Sequence, residues 1–108
     1  PIEFYDDGVA YHDIRSRHGG KRDGLVYARG FIRFKEAVRG SLRFGADGPV
    51  KVFVNRKVVG CDPKATNPVG DHISVVPVAW KQGKNEIVVA MRTNKGRAWG
   101  FTAQGIPE

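Results

Sequence analysis

The residues best equipped for chemistry lie in two basic segments. Tyr11, His12, Arg15, Arg17, His18, Lys21 and Arg22 crowd the stretch 6–24, and Asn94, Lys95, Arg97 and Trp99 fill the stretch 93–99. Trp99 offers a flat apolar platform of the kind that receives the face of a sugar ring. The planar fork of arginine matches carboxylate or sulfate through paired hydrogen bonds. Asparagine, tyrosine and histidine add donors and acceptors for hydroxyl groups. Trp99 has an equal structural reading, as a plug at one end of a core, because tryptophan is large, rarely fully buried and amphipathic.

Catalysis requires a nucleophile, base or metal held by convergent partners. His12, His18 and His72 have no metal-ligand spacing, and Cys61 is the single cysteine, which argues against zinc. The pair Asp6–Asp7 precedes Gly8 and reads as turn chemistry rather than as an acid and base. No catalytic residue, and so no enzymatic activity of the domain itself, is expected. Calcium would suit Asp6, Asp7 and Asp13, or Asp62 and Asp71, but no EF-hand-like spacing supports it, and solvent-exposed turn aspartates are the preferred reading. No cofactor is expected.

Eighteen Lys and Arg against eleven Asp and Glu give a net charge of +7, which biases the chain toward anionic partners. The bland alternative is a solvated basic surface, or one that docks on an acidic neighbour. Basic residues interleaved with Tyr27, Phe31 and Phe53 would also suit stacking on a single-stranded nucleic acid. No RNP-like run, KH loop or zinc knuckle accompanies them, so nucleic acid ranks behind acidic polysaccharide. Tyr27 and Phe31 form a second, face-on binding candidate. No apolar run is long enough to span a bilayer as a helix and no amphipathic helix pattern is present, so no membrane partner is expected. A lone Cys61 excludes an internal disulfide and reads as a small filler at a loop edge.

These residues must be positioned by strands. Leu42, Phe44 and Ala46 alternate with Arg43 and Gly45, and Val50, Val52 and Val54 alternate with Lys51 and Phe53, the period-two pattern of half-buried strands. Asp47, Gly48 and Pro49 make a turn between the two runs, and Asn55–Arg56 a second reversal, so that 42–59 is expected to form a meander. Tyr27, Arg29, Phe31 and Arg33 share one side of a further strand, opposite Ala28, Gly30, Ile32 and Phe34. Residues 2–5 read as a first strand and 6–24 as a long loop, of a length that is usually functional or mobile. Pro77 marks a strand end or sheet edge, residues 80–85 a turn with Trp80 capping the core, 86–92 a strand with Ile87, Val89 and Met91 inward, and 99–103 the last strand. About eight short strands with no helix pattern predict an all-β antiparallel sandwich.

Turn chemistry and alternation together resemble a known family. Asp47, Gly48, Val50, Val52, Phe53, Val54, Asn55 and Lys57, then Gly83 and Asn85, then Trp99, Gly100 and Phe101 match the galactose-binding-domain-like jelly roll of accessory carbohydrate-binding modules and of the sugar-binding domains of beta-galactosidase and beta-glucuronidase type glycosidases. Arg56 stands where that pattern has Gly, and Phe53 where it has Trp. The resemblance spans residues 27–101 and implies a jelly roll whose first and last strands pair antiparallel. The loop after Tyr5 would then lie beside the loop before Trp99, bringing Tyr11, His12, Arg15, Arg17, His18, Lys21 and Arg22 toward Asn94, Lys95, Arg97 and Trp99 as a glycan site at one end of the sandwich. It also implies a non-catalytic module, residues 1–108, belonging to a larger extracellular or periplasmic enzyme and bound to a polysaccharide. The different-class alternative is a β-sandwich that only braces a catalytic domain. The start at Pro1 without an initiator methionine fits a piece of a longer protein.

Overall fold

The computed structural model describes residues 2–3, 12–13, 24–65, 73–92 and 100–107. Its strands are β1 (Ile2–Glu3), β2 (His12–Asp13), β3 (Leu25–Phe34), β4 (Val38–Ala46), β5 (Val50–Val54), β6 (Lys57–Asp62), β7 (Ile73–Trp80), β8 (Gly83–Arg92) and β9 (Gly100–Pro107). They form two facing sheets, one in the order β1-β3-β8-β5-β6 and the other β2-β9-β4-β7. Every pairing is antiparallel except that of the two-residue β1, which runs parallel to β3. This is the all-β sandwich that alternation predicts.

The two apolar runs at the centre of the sequence do not form a hairpin with each other. β4 lies in the four-stranded sheet and β5 in the five-stranded one. Leu42, Phe44 and Ala46 therefore oppose Val50, Val52 and Val54 across the core, all of them buried. Period-two alternation shows which face of a strand is apolar but not which sheet it joins, and three connecting residues suffice to cross the ~10 Å between packed sheets. Asp47 is 4% exposed and serves the crossing in a way that its turn chemistry does not reveal. Its Oδ1 accepts the Gly100 N–H at 3.0 Å, while its own N–H donates to the Gly100 carbonyl at 3.3 Å. The end of β4 is thereby bracketed to the start of β9.

Asn55–Arg56 is the hairpin turn expected, with positive φ of 49° and 70° that make it the primed type suited to strand twist. Beyond it, β6 continues through Cys61, which is an exposed strand residue rather than a loop filler. Gly60 lies over the Phe44 ring, where an added Cβ would collide with the ring edge. Pro77 sits on β7, an edge strand, as expected.

Among the described residues Trp80 is the largest fully buried side chain, and it stacks on Phe34, ring centroids 5.0 Å apart at 27°, so one aromatic pair joins both sheets at that end of the core. Phe101, Ile87, Met91, Val52 and Val89 complete the centre. The predicted turn over 80–85 is shorter than its sequence suggests, because β7 runs to Trp80 and β8 begins at Gly83. Asn85, wholly buried, explains the reversal: its Oδ1 accepts the Lys81 N–H at 3.1 Å, and its Nδ2 donates to the carbonyls of Lys81 at 3.0 Å and Gly83 at 3.2 Å. A side-chain amide supplies the hydrogen bonds that a short turn leaves unmade. The last strand runs from Gly100 to Pro107, longer than expected.

Candidate functional site

The first and last strands do not pair. β1 joins β3 in one sheet and β9 belongs to the other. Instead β2, from within the stretch read as loop, pairs with β9 through His12↔Phe101 and Asp13↔Gly100. A two-residue strand in a glycine-rich, charged stretch carries no readable period. Asp13 and Gly100, from which the two basic segments run on, are register partners. Apart from His12 on β2, the site residues expected there, Tyr11, Arg15, Arg17, His18, Lys21, Arg22, Asn94, Lys95, Arg97 and Trp99, lie outside the described residues. Asp62 behaves as turn aspartates do, accepting the Lys64 N–H at 3.1 Å. Among the described residues, no three His, Cys, Asp or Glu side chains are grouped to hold a metal ion.

The described structure places the face-on pair Tyr27 and Phe31 on one sheet face, each at a separate depression. β8 lies between β3 and β5 with registers Tyr27↔Ala90↔Lys51 and Arg29↔Val88↔Phe53. Since Ala28, Val89 and Val52 face the core, the alternate residues on all three strands face outward. Tyr27, Phe31 and Phe53 thus share one sheet face with Arg29, Arg33, Lys51, Lys84 and Arg92, and Glu86 is the one acid among the outward positions of these three strands.

Ala90 makes a groove in this face. With no side chain beyond Cβ, it leaves a floor between Tyr27 and Lys51, whose backbones stand two strand spacings apart, ~10 Å. The depression, about 300 Å³, is lined by Leu25, Tyr27, Pro49, Lys51, Phe53, Ala90 and Arg92. That is at the small end of ligand pockets. Tyr27 and Leu25 stand at 48% and 50% exposure, so apolar surface is offered to solvent beside two cations. An aromatic wall, a second ring close by and flanking positive charge can hold a sugar ring by its apolar face and an acid group by its charge.

Four residues along β8, a second depression of about 490 Å³ is lined by Phe31, Asn55, Arg56, Lys81, Lys84 and Glu86. Lys84 Nζ sits 3.8 Å from the Phe31 ring centroid and Arg29 Cζ 5.5 Å from it. Arg29 also approaches Glu86 at 4.0 Å. Phe31 is thus a seat for cations. Arg43, outward on β4, lies in the other sheet and faces away from Arg29 and Arg33.

Alternation within β3 and β5 already marks Tyr27, Phe31, Lys51 and Phe53 as outward. Ala90 and Arg92 escape sequence reading because their role depends on β8 entering between strands that are its neighbours only in space.

No protein-family model matches this sequence, and no curated protein does. Among solved structures, the chain is similar to part of a beta-glucosidase from Kluyveromyces marxianus in complex with glucose, at TM-score 0.62 and 15% identity over 78% of this chain and 10% of that one. It also aligns with a family 35 carbohydrate-binding module from an environmental isolate, at TM-score 0.45 and 17% identity over 82% and 73% of the two chains. A third alignment is with the Podospora anserina GH26-CBM35 beta-(1,4)-mannanase, at TM-score 0.47 and 13% identity over 93% and 26%. The chain spans about a tenth of the length of the beta-glucosidase. At such identities the likeness is one of fold.

Proposed function

We propose that this domain is a non-catalytic carbohydrate-binding module that holds a linked glycoside hydrolase on an anionic polysaccharide, outside the cell or in a periplasm. The observation that carries this reading is the groove floored by Ala90, where Tyr27 and Phe53 are placed beside Lys51 and Arg92 on an open sheet face. A sugar stacks on the exposed Tyr27 ring while its carboxylate or sulfate meets the two cations. The fold likeness to part of a beta-glucosidase supports the link to a glycoside hydrolase. The basic segments that flank β2 and precede β9 supply a further contact region in this reading, with Trp99 as its platform and Arg97, Arg15 and Arg17 as its charges.

The test is affinity electrophoresis of the domain through neutral and acidic polysaccharides at low and moderate salt, with Tyr27→Ala and Trp99→Ala alongside. Salt-sensitive retardation by an acidic polymer, lost in Tyr27→Ala, supports the module and its sheet-face site. Loss confined to Trp99→Ala moves the site to the end of the sandwich. No retardation by any glycan leaves a bracing domain.

A further inference from the structure

Three cations converge on the second depression from three separate pieces of chain. Arg56 comes from the β5–β6 turn, Lys81 from the β7–β8 connection, and Lys84 from β8 itself. One hydrogen bond ties the two connections together: Asn55 Nδ2 donates to Asn85 Oδ1 at 2.9 Å, and that same oxygen receives the Lys81 N–H. Asn55 is further bound to β8, its N–H donating to the Glu86 carbonyl and its Oδ1 accepting the Glu86 N–H, each at 2.9 Å. The backbone that bears the cations is therefore fixed. Among the described residues, no carboxylate is paired with Arg56, Lys81 or Lys84.

Arg56 carries a second indication. Its φ of 70° belongs to the left-handed region, where glycine is free of strain and arginine is not. Strain held at a surface turn points to a use for the side chain, and here the side chain lines the basin.

We propose that this basin is an anion subsite for the polymer seated in the Ala90 groove, and that the polymer is a linear polysaccharide carrying carboxylates, a polyuronate. The inference rests on the groove reading above. From Ala90 to Glu86 is four residues along β8, about 13 Å, so a chain lying parallel to β8 meets Arg92 and Lys51 at one end and Lys84, Lys81 and Arg56 at the other. Glu86 selects the class of polyanion. It is the one acid among the outward positions of β3, β8 and β5, and with Arg29 4.0 Å from one of its oxygens it keeps acceptor capacity for hydroxyls while still setting a negative charge against a densely charged strand. A polyuronate presents one carboxylate and free hydroxyls on each sugar, whereas sulfated polymers and DNA present denser charge or fewer hydroxyl donors.

Calorimetric titration of the domain with oligogalacturonates of two and six sugars tests this, with a sulfated hexasaccharide and oligodeoxythymidylate as the other arms. The hexamer is expected to bind at least about tenfold more tightly than the dimer, since the second subsite engages at high effective concentration. That ratio should fall toward one in the double variant Lys81→Gln/Lys84→Gln, with an unchanged melting temperature showing that the fold is intact. A length ratio that persists in the double variant, or is absent in the parent, overturns the subsite while leaving the groove in place. Tighter binding of the sulfated glycan or of oligodeoxythymidylate overturns the polyuronate assignment. Absence of binding by either oligogalacturonate overturns groove and subsite together.

Discussion

The two outer faces of the sandwich are built from the same element and differ in almost everything offered to a ligand. On the five-stranded sheet, three aromatic rings and five cations share the outward positions of β3, β8 and β5. On the four-stranded sheet, the outward positions of β4 and β7 hold Arg39, Ser41 and Arg43 beside Val75, Pro77 and Ala79, with no aromatic ring. Its depression is about 230 Å³, lined by Arg39, Gly40, Pro77, Val78 and Ala79. Two arginines alone do not make a glycan site; positive charge gains a purpose where it stands beside a ring that can stack. The net charge of +7 is a property of the chain, whereas the pairing of charge with aromatic surface belongs to one face only.

The strongest way to break this contrast is to remove the support of the basic end. Asn85→Ala takes away a fully buried amide and leaves the Lys81 N–H and the Asn55 amide without their partner, so stability should fall by about 3 kcal/mol. Urea denaturation checks this; a loss below about 1 kcal/mol would mean that the β7–β8 connection is held by other contacts.

Next comes the stacking wall. Tyr27→Ala is expected to weaken acidic-glycan binding about thirtyfold, the roughly 2 kcal/mol of an aromatic hot spot. Val75→Ala, at a position still more exposed on the opposite sheet, should change nothing. Similar losses from the two substitutions in titration would erase the distinction between the faces.

Charge sharpens the contrast more gently. Lys51→Gln and Arg92→Gln should each cost about fivefold in affinity at low salt, an effect that fades as salt rises. Arg39→Gln and Arg43→Gln should leave affinity and its salt dependence alone. Equal effects from all four would reduce the interaction to net charge.

The smallest effect expected is a gain. Arg56→Gly relieves a left-handed arginine in a primed turn, and stability should rise by about 0.5 kcal/mol, read as a small upward shift in thermal unfolding. The same variant should bind the hexamer less tightly than its parent does. A variant that gains stability and loses no affinity would make Arg56 a turn residue only.

Local chemistry made much of the fold legible. Val50, Val52 and Val54 are inward, Asn55–Arg56 turns the chain, Pro77 lies on an edge, and Trp80 closes one end of the core, as their types and spacing imply. The turn chemistry of Asp47 marks a break between two strands without telling a hairpin from a crossing, because an Asp-Gly-Pro run serves a passage between sheets as well as a return within one. Asn85 matched the resemblance as a residue type, but its reason is visible only where its amide meets the Lys81, Gly83 and Asn55 groups.

What the amino-acid sequence determined by itself is the two-sided character of each strand, since alternation of side chains follows from the backbone of a single extended segment. It therefore specified that Tyr27, Phe31, Lys51 and Phe53 face away from the core. The tertiary structure alone decided that β8 stands between β3 and β5, bringing Tyr27, Ala90 and Lys51 into one row and opening the groove. Strand pairing joins backbone groups distant in the chain, and those groups are alike in every residue, so neighbours are chosen by how the whole core packs rather than by any short stretch of sequence.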